Sequence, residues 1–473
     1  MATSVFPQPF VQPERQTSGE VIPGFFGLQP VVSEADLEKT LTVFLAGGQG
    51  SRLAPIAKVD LENPEQGRPK PFSVLLAASV PTLFIPVSDA INSGFKNFWL
   101  STQKAYESMN QGFMTLFDNL PDRRKAGIHT ERLEIKPDPE VFIGTAGTVY
   151  EELQKPEYSG YENIAIFSTD HAYRMRQDEF LKYHLDNKAD MTVSTIPVLA
   201  RDAGSLGIMR LDEDGEVLAF AEKLGDKIPA EFKFTGEDGQ EYCWASMGNY
   251  IIDRHTLTDT VQTAKSNGIE KVDFGYHVLP AMAARPDKKL FAFKFSDSHF
   301  PGMSDTSQGY WKDIGKLDDY FEVNVNDCLG DEHAFDPFNR AYPLYSHLQA
   351  EIKRVKNDGL ITNAIVPKEH HALQGKVDSA VISESVTTEA GSNVIRSILL
   401  PGAKVGRNAR VEEAIIGHEV IIPDGAVIDR AFGEANQGQP GITVTEKGRV
   451  AIAREFDFSQ AKHPTGQTLN QVA

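Results

Sequence analysis

An apolar run leads directly into a glycine-rich loop at Leu41-Thr-Val-Phe-Leu-Ala-Gly-Gly-Gln-Gly-Ser-Arg-Leu53. This pattern predicts a buried strand followed by a phosphate-binding loop. Gly47, Gly48 and Gly50 can adopt positive φ and bring backbone N–H groups close to an anion, and Arg52 can add a charged fork. The loop has neither the ending of a P-loop nor the third glycine of the dinucleotide fingerprint. A tight strand-to-helix turn with an exposed arginine is the alternative interpretation of this stretch alone.

The composition is that of a globular protein with more than one domain. The chain has 473 residues, 47 of them basic and 66 acidic, for a formal charge of −19. Without a basic cluster, nucleic acid and anionic membranes are not expected partners. Cys243 and Cys328 have no metal-binding or disulfide spacing, and no apolar run is long enough to span a bilayer. These features predict a cytoplasmic protein that binds phosphates through a few local positive groups.

Short β-branched runs alternate with helix-compatible stretches from about Ser33 onward, which predicts an α/β fold with a Rossmann-like, mostly parallel sheet. Asp212-Glu-Asp-Gly215 supplies the turn of a hairpin between Gly207–Leu211 and Val217–Phe220. Ligands of such sheets collect beyond the carboxyl ends of the strands. The candidate strands are Leu41–Leu45, Asn97–Ser101, Asn163–Phe167, Met191–Pro197 and Leu290–Phe295.

Several polar residues lie at or near predicted strand ends. Asp170 follows the strand at 163–167, and Asp313 precedes the helix-like segment 317–329. A small-residue loop begins at Gly144, and Lys223 ends the hairpin next to a glutamate. Carboxylates and isolated cations in this arrangement indicate metal-assisted chemistry on phosphates. The alternatives are a helix cap at Asp170, a turn at Gly144 and a surface ion pair at Lys223.

A repeat of 17 residues appears in the last quarter of the chain. Its copies, Val377–Ser383, Val394–Leu400 and Val411–Gly417, share the template Val-x-x-small-apolar-apolar, and a degenerate fourth copy begins at Ile428. Within the copies a six-residue apolar period is nested, which predicts a parallel β-helix. The residues of that period are Leu399, Val405 and Val411, and then Ile415, Ile421 and Val427.

The sequence therefore predicts two folded domains with flanking segments. We predict a loose N-terminal arm at 1–37, a catalytic domain at 38–332, a connector at 333–360, a left-handed β-helix domain at 361–455 and a tail at 456–473. The short β-helix has to be covered by the first domain or by another subunit.

The motifs, taken in order, resemble those of the nucleotide-sugar pyrophosphorylases, and among them most closely the glucose-1-phosphate adenylyltransferases. The resemblance covers about Thr40 to Asp429. It rests on Gly47-Gly-Gln-Gly-Ser-Arg-Leu53, Arg68-Pro-Lys-Pro71, Ser88-Asp-Ala-Ile-Asn-Ser-Gly94, Thr102-Gln103, Gly144-Thr-Ala146, Asp170-His171, Phe220-Ala-Glu-Lys223, Ala245-Ser-Met-Gly248 and Tyr310-Trp-Lys-Asp-Ile-Gly315.

The resemblance implies roles for matching residues. The triphosphate and base would be bound by Gly47, Gly48, Gly50, Ser51, Gln103, Gly144 and Thr145. The sugar phosphate would be bound by Glu222, Lys223 and Ser246. Asp170 and Asp313 would hold Mg²⁺. Arg52, Lys70 and Asp170 would be catalytic, with Arg52 and Lys70 on the departing pyrophosphate.

The implied reaction transfers AMP from ATP to glucose 1-phosphate, giving ADP-glucose for glycogen or starch-like glucan synthesis, in a cytoplasmic homotetramer. Three segments depart from the family pattern, at 58–67, 72–86 and 141–143, so base preference and allosteric control stay open. A UDP- or GDP-sugar pyrophosphorylase, a non-catalytic regulatory subunit and, for the β-helix, an acyltransferase are the alternatives. The last lacks an evident catalytic histidine, since His418 is expected to be a solvated turn residue.

Overall fold

The computed structural model describes residues 29–46, 51–53, 56, 74–77, 79–101, 143–330, 333–346 and 352–462. The strands of the N-terminal part are β1 (Thr40–Leu45), β2 (Leu75–Leu76), β3 (Val80–Pro81), β4 (Phe98–Ser101), β5 (Asn163–Ser168), β6 (His171–Tyr173), β7 (Met191–Leu199), β8 (Gly207–Leu211), β9 (Val217–Glu222), β10 (Lys233–Thr235), β11 (Glu241–Asp253), β12 (Leu290–Lys294) and β13 (Trp311–Asp313). Its α-helices are α1 (Glu34–Glu38), α2 (Phe84–Asn92), α3 (Thr145–Leu153), α4 (Gln177–Asp186), α5 (Arg254–Ser266), α6 (Leu279–Ala283) and α7 (Leu317–Phe321).

The central sheet has the strand order β12-β7-β11-β5-β1-β4. β1 pairs in parallel with β4 and β5, and β7 pairs in parallel with β12, whereas β11 is antiparallel to both of its neighbours. β1 lies inside this order, between β5 and β4, and is buried over most of its length. The predicted mostly parallel α/β sheet is confirmed, with β11 inserted in the opposite direction.

Helical segments differ from the sequence prediction at two places. α3 begins at Thr145, directly after Gly144, so most of the predicted small-residue loop is the first part of a helix. The helix-like segment predicted at 317–329 divides into α7 and a π-helix at Glu322–Asp327. The end of the predicted N-terminal arm forms α1, where Ser33 and Asp36 make a capping box and Leu37 is buried. Within the described part of the chain, no helix combines the length and the apolar character needed to cross a membrane.

The C-terminal part is a parallel β-helix, as predicted, and its coils repeat every 17 residues. Val377 pairs with Val394, which pairs with Val411, which pairs with Ile428. Its strands and helix are β14 (Ile352–Asn357), β15 (Ile361–Pro367), β16 (Lys376–Asp378), β17 (Val381–Ile382), β18 (Thr387–Thr388), β19 (Asn393–Ile395), β20 (Ile398–Leu399), β21 (Lys404–Val405), β22 (Arg410–Glu412), β23 (Ala414–Ile416), β24 (Ile421–Ile422), β25 (Val427–Ile428), α8 (Arg430–Asn436), β26 (Ile442–Val444) and β27 (Val450–Ile452).

The predicted apolar series Ile415, Ile421 and Val427 does not match the residues that face the interior of the β-helix, which lie one position further along the chain. Leu399 pairs with Ile416 and Val405 with Ile422, so a coil of 17 residues is one short of three six-residue periods. Ile421 is therefore 61% exposed while Ile422 is buried. Ile415 is buried for a different reason, because it belongs to a stripe that packs on the core of the N-terminal domain.

The fourth repeat does not form a complete coil. After β25 the chain turns into α8, because the Asp429 side chain accepts a hydrogen bond from the Phe432 backbone N–H and caps the helix. Phe432 is fully buried and packs on Phe456. β27 then pairs in parallel with β23 where the next coil would have continued. The end of the β-helix is thus closed by its own chain.

Candidate active site

Two aspartates and a histidine meet on a short two-stranded ribbon. β5 ends at Ser168, and the chain turns at Asp170 into β6, which pairs antiparallel with β13. That register places His171 directly opposite Asp313. Ligand atoms of Asp170, His171 and Asp313 all lie within 4.8 Å of one another. The predicted convergence of Asp170 and Asp313 is therefore present in the fold.

Neighbouring groups orient this cluster. Ser168 Oγ donates a hydrogen bond to Asp170 Oδ1 at 2.6 Å. His171 Nε2 lies 3.4 Å from Asp170 Oδ1 and 3.7 Å from Asp313 Oδ1, and its ring packs edge-on against Trp311. The side chains of Asp170 and Asp313 are 31% and 40% exposed, so their oxygens remain accessible. Two accessible carboxylates fit Mg²⁺, which keeps several waters or phosphate oxygens in its shell.

The side chain of Arg52 lies beside Asp313, at the edge of the same cluster. A Cβ built on Gly315 would lie 3.4 Å from Asp313 Oδ2 and 3.6 Å from Arg52 Nη1, so both side chains lie over this glycine. Arg52 is exposed and free to face an anion. Gly47, Gly48, Gly50, Lys70 and Gln103, together with the side chain of Ser51, lie outside the described residues. Their assigned roles stay predictions.

Glu222 and Lys223 form a second cluster at the end of β9. Glu222 fits between two glycines, because a Cβ on Gly207 or on Gly275 would lie 2.5 Å or 2.8 Å from its Oε2. Lys223 Nζ lies 3.3 Å from Glu222 Oε1 and 5.4 Å from the centroid of the Tyr276 ring. The lysine is half exposed, which leaves its ammonium available to a phosphate.

A bulge in β11 connects the two clusters. The pairing of β11 with β7 shifts between Ser246 and Tyr250, and Gly248 within the bulge has φ +76°. The Gly248 N–H donates to Ser246 Oγ at 3.2 Å, and a Cβ at Gly248 would lie 3.6 Å from His171 Cε1. Ser246 thus lies on the strand that separates the aspartates from Lys223.

Gly144 and Thr145 are bound to another part of the chain. The Thr145 backbone N–H and Oγ1 both donate to Asp273 Oδ1, at 3.0 and 3.2 Å. A Cβ at Gly144 would lie 2.4 Å from the Val272 carbonyl oxygen. The first turn of α3 is therefore held against the segment that follows Val272. Nucleotide binding by these two residues stays a prediction.

Three residues that lie beside the predicted site residues, Tyr250, Asp273 and Phe274, were not identified from the sequence. Tyr250 is buried and stacks on Phe274 at 5.1 Å. Burial raises the pKa of Tyr250, so the phenol stays neutral and keeps its proton. Asp273 holds the start of α3. The signal that could have found Asp273 and Phe274 is the short Val-Asp-Phe-Gly run ending at Gly275, a polar residue before a turn in an otherwise apolar segment.

The arrangement can bring two charged phosphate groups together. One cluster offers two carboxylates that could hold a divalent cation beside a guanidinium, and the other offers an ammonium beside a carboxylate and hydroxyls. A phosphate in each would otherwise repel the other strongly, and positive charge placed between them offsets that repulsion.

Comparison with known proteins gives matches over both domains. The nucleotidyl transferase family matches residues 41–329, and the GlmU-like C-terminal hexapeptide family matches residues 350–452. The chain is 31% identical over 425 residues to a protein of Geobacter metallireducens, covering 88% of this chain and 97% of the relative. It is 30% identical over 441 residues to one of Trichlorobacter lovleyi, with the same coverage. A third, of Bacillus cereus, is 31% identical over 408 residues, covering 83% and 96%. Each of the three is named glucose-1-phosphate adenylyltransferase.

Proposed function

The chain belongs to the glucose-1-phosphate adenylyltransferase family of nucleotidyl transferases, and we propose that it transfers AMP from ATP to glucose 1-phosphate. The products are ADP-glucose and pyrophosphate. The convergence of Arg52, Asp170 and Asp313 at one end of the sheet, next to the cluster with Lys223, supports this proposal most directly.

The nucleophile needs little activation. A phosphate oxygen of glucose 1-phosphate is ionised near neutral pH and attacks the α-phosphorus of ATP in line with the departing pyrophosphate. The obstacle is bringing two polyanions together, so catalysis consists mainly of positioning and charge stabilisation. A Mg²⁺ ion held by Asp170 and Asp313 would supply positive charge between the two substrates.

The remaining substrate groups are bound by side chains of this chain. Lys223 binds the phosphate of the sugar phosphate, and Glu222 accepts hydrogen bonds from sugar hydroxyls, beside Ser246 and the neutral phenol of Tyr250. Arg52 binds the pyrophosphate through its planar fork and stabilises the charge that develops on it. Lys70 is assigned the same task from the sequence alone.

Measuring pyrophosphate release with glucose 1-phosphate and each of ATP, UTP, GTP and CTP tests this function. We expect ATP to be used best. Preference for UTP or GTP would identify a UDP- or GDP-sugar pyrophosphorylase instead. Absence of turnover with all four, in a protein that still binds nucleotide, would favour the non-catalytic regulatory subunit.

Replacing Asp170 with Asn tests the metal role. Loss of the metal's charge stabilisation is worth several kcal/mol, so we expect kcat to fall about 100- to 1000-fold. The dissociation constant for ATP without Mg²⁺ should change little, and Mn²⁺ binding followed by electron paramagnetic resonance should weaken. Asp305→Asn, at an exposed loop position, serves as the control. Equal losses of turnover and of metal-free nucleotide binding would contradict a metal role for Asp170.

We also propose a cytoplasmic homotetramer assembled partly through the β-helix. Ile421 and Val427, both exposed apolar residues on its last coil, support an interface there, because burying apolar surface favours association. Cys243 and Cys328 are both buried free thiols, in keeping with a reducing compartment. Light scattering coupled to size-exclusion chromatography would measure the assembly, and a monomer would contradict it.

A further inference from the structure

Tyr276 is an exposed aromatic residue beside the cluster of Glu222 and Lys223. It is 53% exposed, and every other Phe, Tyr or Trp side chain of the described residues is buried or half-buried. An aromatic ring left in water is ordinary when it stands alone, but this one lies under a cation. The Lys223 ammonium is 5.4 Å from the ring centroid, within the range of a cation–π interaction.

The local backbone places Tyr276 there. The residue belongs to a π-helical turn, Phe274–Val278, a rare geometry that is frequent at functional sites. Phe274, two residues earlier, is buried and stacked on Tyr250, and Gly275 packs closely against the Glu222 carboxylate. With both preceding residues held, the Tyr276 side chain lies next to Lys223.

The backbone of Lys223 is also constrained. Its φ is +51°, in the left-handed region that side chains other than glycine rarely adopt, and its N–H donates to the Leu206 carbonyl oxygen at 3.1 Å. Such strain persists where the surroundings over-determine it, commonly at ligand-binding positions. The base of the lysine is thus held, while its four-carbon stem keeps rotational freedom.

We propose that Tyr276 is a substrate-positioning residue, whose ring holds the Lys223 ammonium in place for the phosphate of glucose 1-phosphate. The inference rests on the proposed function. Glu222 Oε1, 3.3 Å from Lys223 Nζ, contacts the same cation. The ring and the carboxylate therefore hold the ammonium together, and without the ring only Glu222 fixes its position relative to the phosphate.

The kinetic signature separates this role from a structural one. Lys223 binds the same phosphate in the ground state and the transition state, so a misplaced ammonium raises KM and leaves kcat unchanged. A cation–π contact at an exposed site corresponds to about a two- to five-fold change in affinity. Binding of ATP, which does not involve this cluster, should not change.

The experiment compares Tyr276→Leu with Tyr276→Phe, each alone and in a Lys223→Met background. We expect Tyr276→Leu to raise KM for glucose 1-phosphate, and its dissociation constant by calorimetry, about two- to five-fold, and Tyr276→Phe to retain the wild-type values. In the Lys223→Met background, Tyr276→Leu should have no further effect, because the ring then has no ammonium to hold.

Tyr150→Leu is the matched control. It removes a contact of the same kind, in which Lys265 Nζ lies 4.9 Å from the centroid of the Tyr150 ring. The KM values for glucose 1-phosphate and for ATP should both stay unchanged. Two results would overturn the inference while leaving the function intact. One is an unchanged KM for glucose 1-phosphate in Tyr276→Leu, and the other is an equal rise of this KM in the wild-type and Lys223→Met backgrounds. A wild-type protein that neither binds nor converts glucose 1-phosphate would refute the proposed function, and the inference with it.

Discussion

Arg449 joins the β-helix domain to the helix that follows Asp313. Its Nη1 donates to Asp318 Oδ1 at 2.8 Å, and its Nη2 donates to Glu322 Oε1 at 2.7 Å. The guanidinium carbon lies 4.2 Å from the centroid of the Phe321 ring, and the side chain is only 9% exposed. Replacing this arginine should therefore weaken the contact between the domains.

The expected loss follows from what remains at the site. Breaking a buried ion pair costs about 3–5 kcal/mol when the surviving charge is left without a partner. In Arg449→Met, Thr445 Oγ1 still donates to Asp318 at 2.8 Å and Lys447 Nζ still donates to Glu322 at 3.0 Å. Because each carboxylate keeps at least one partner, we expect a loss of about 2–3 kcal/mol in the free energy of unfolding at neutral pH.

The pH dependence of this loss carries a definite sign. Burial alone would raise the pKa of Glu322, but hydrogen bonds from Lys447 and Arg449, with their charges, lower it from 4.5 to about 2. A carboxyl whose pKa is lowered by folding stabilises the protein above its unfolded pKa, and this stability disappears as the pH falls from about 4.5 to about 2. The difference between wild type and Arg449→Met should shrink over that window.

Urea unfolding of both proteins at a series of pH values measures this difference. Arg454→Met is the matched control, because Arg454 pairs with Glu419 at 2.7 Å but is 70% exposed, and such pairs contribute about 0–1 kcal/mol. A loss in Arg449→Met no larger than in the control, or one that persists unchanged at low pH, would refute the reasoning.

Three further predictions concern other positions. Gly144→Ala should lower the free energy of unfolding by more than about 2 kcal/mol, because φ is +83° and the new Cβ would lie 2.4 Å from a carbonyl oxygen. Gly225→Ala, in open space at φ +65°, should lower it by about 1 kcal/mol, and thermal unfolding of both variants measures the difference. Ile422→Asp should prevent folding of the β-helix by burying a charge, and Ile421→Asp should leave its circular dichroism spectrum unchanged; the reverse result would contradict the coil register. Burial lowers the pKa of His184 to about 4, so the wild type should lose stability relative to His184→Gln as the pH drops from about 6.5 to 4 in urea unfolding.

Much of the site was predictable because each part has a local signature. Asp170 follows an apolar strand, and Lys223 follows a hairpin with an evident turn. The sequence did not indicate which contacts hold Glu222 or Thr145, since those depend on Gly207, Gly275 and Asp273 arriving from distant parts of the chain. Local pattern identifies a reactive group, whereas its surroundings are set by packing.

The same division holds for the fold. By itself the sequence determined five of the six strands in the central order, all but β11, and the 17-residue coil, because apolar periodicity records which side of each strand is buried. Only the tertiary structure decided that Ile421 faces solvent and that α8 and β27 replace the fourth coil. The first outcome depends on the phase that the pairing of successive coils gives to the six-residue period, and the second on which distant segment covers the end of the β-helix. The ribbon that sets His171 opposite Asp313 is decided in the same way.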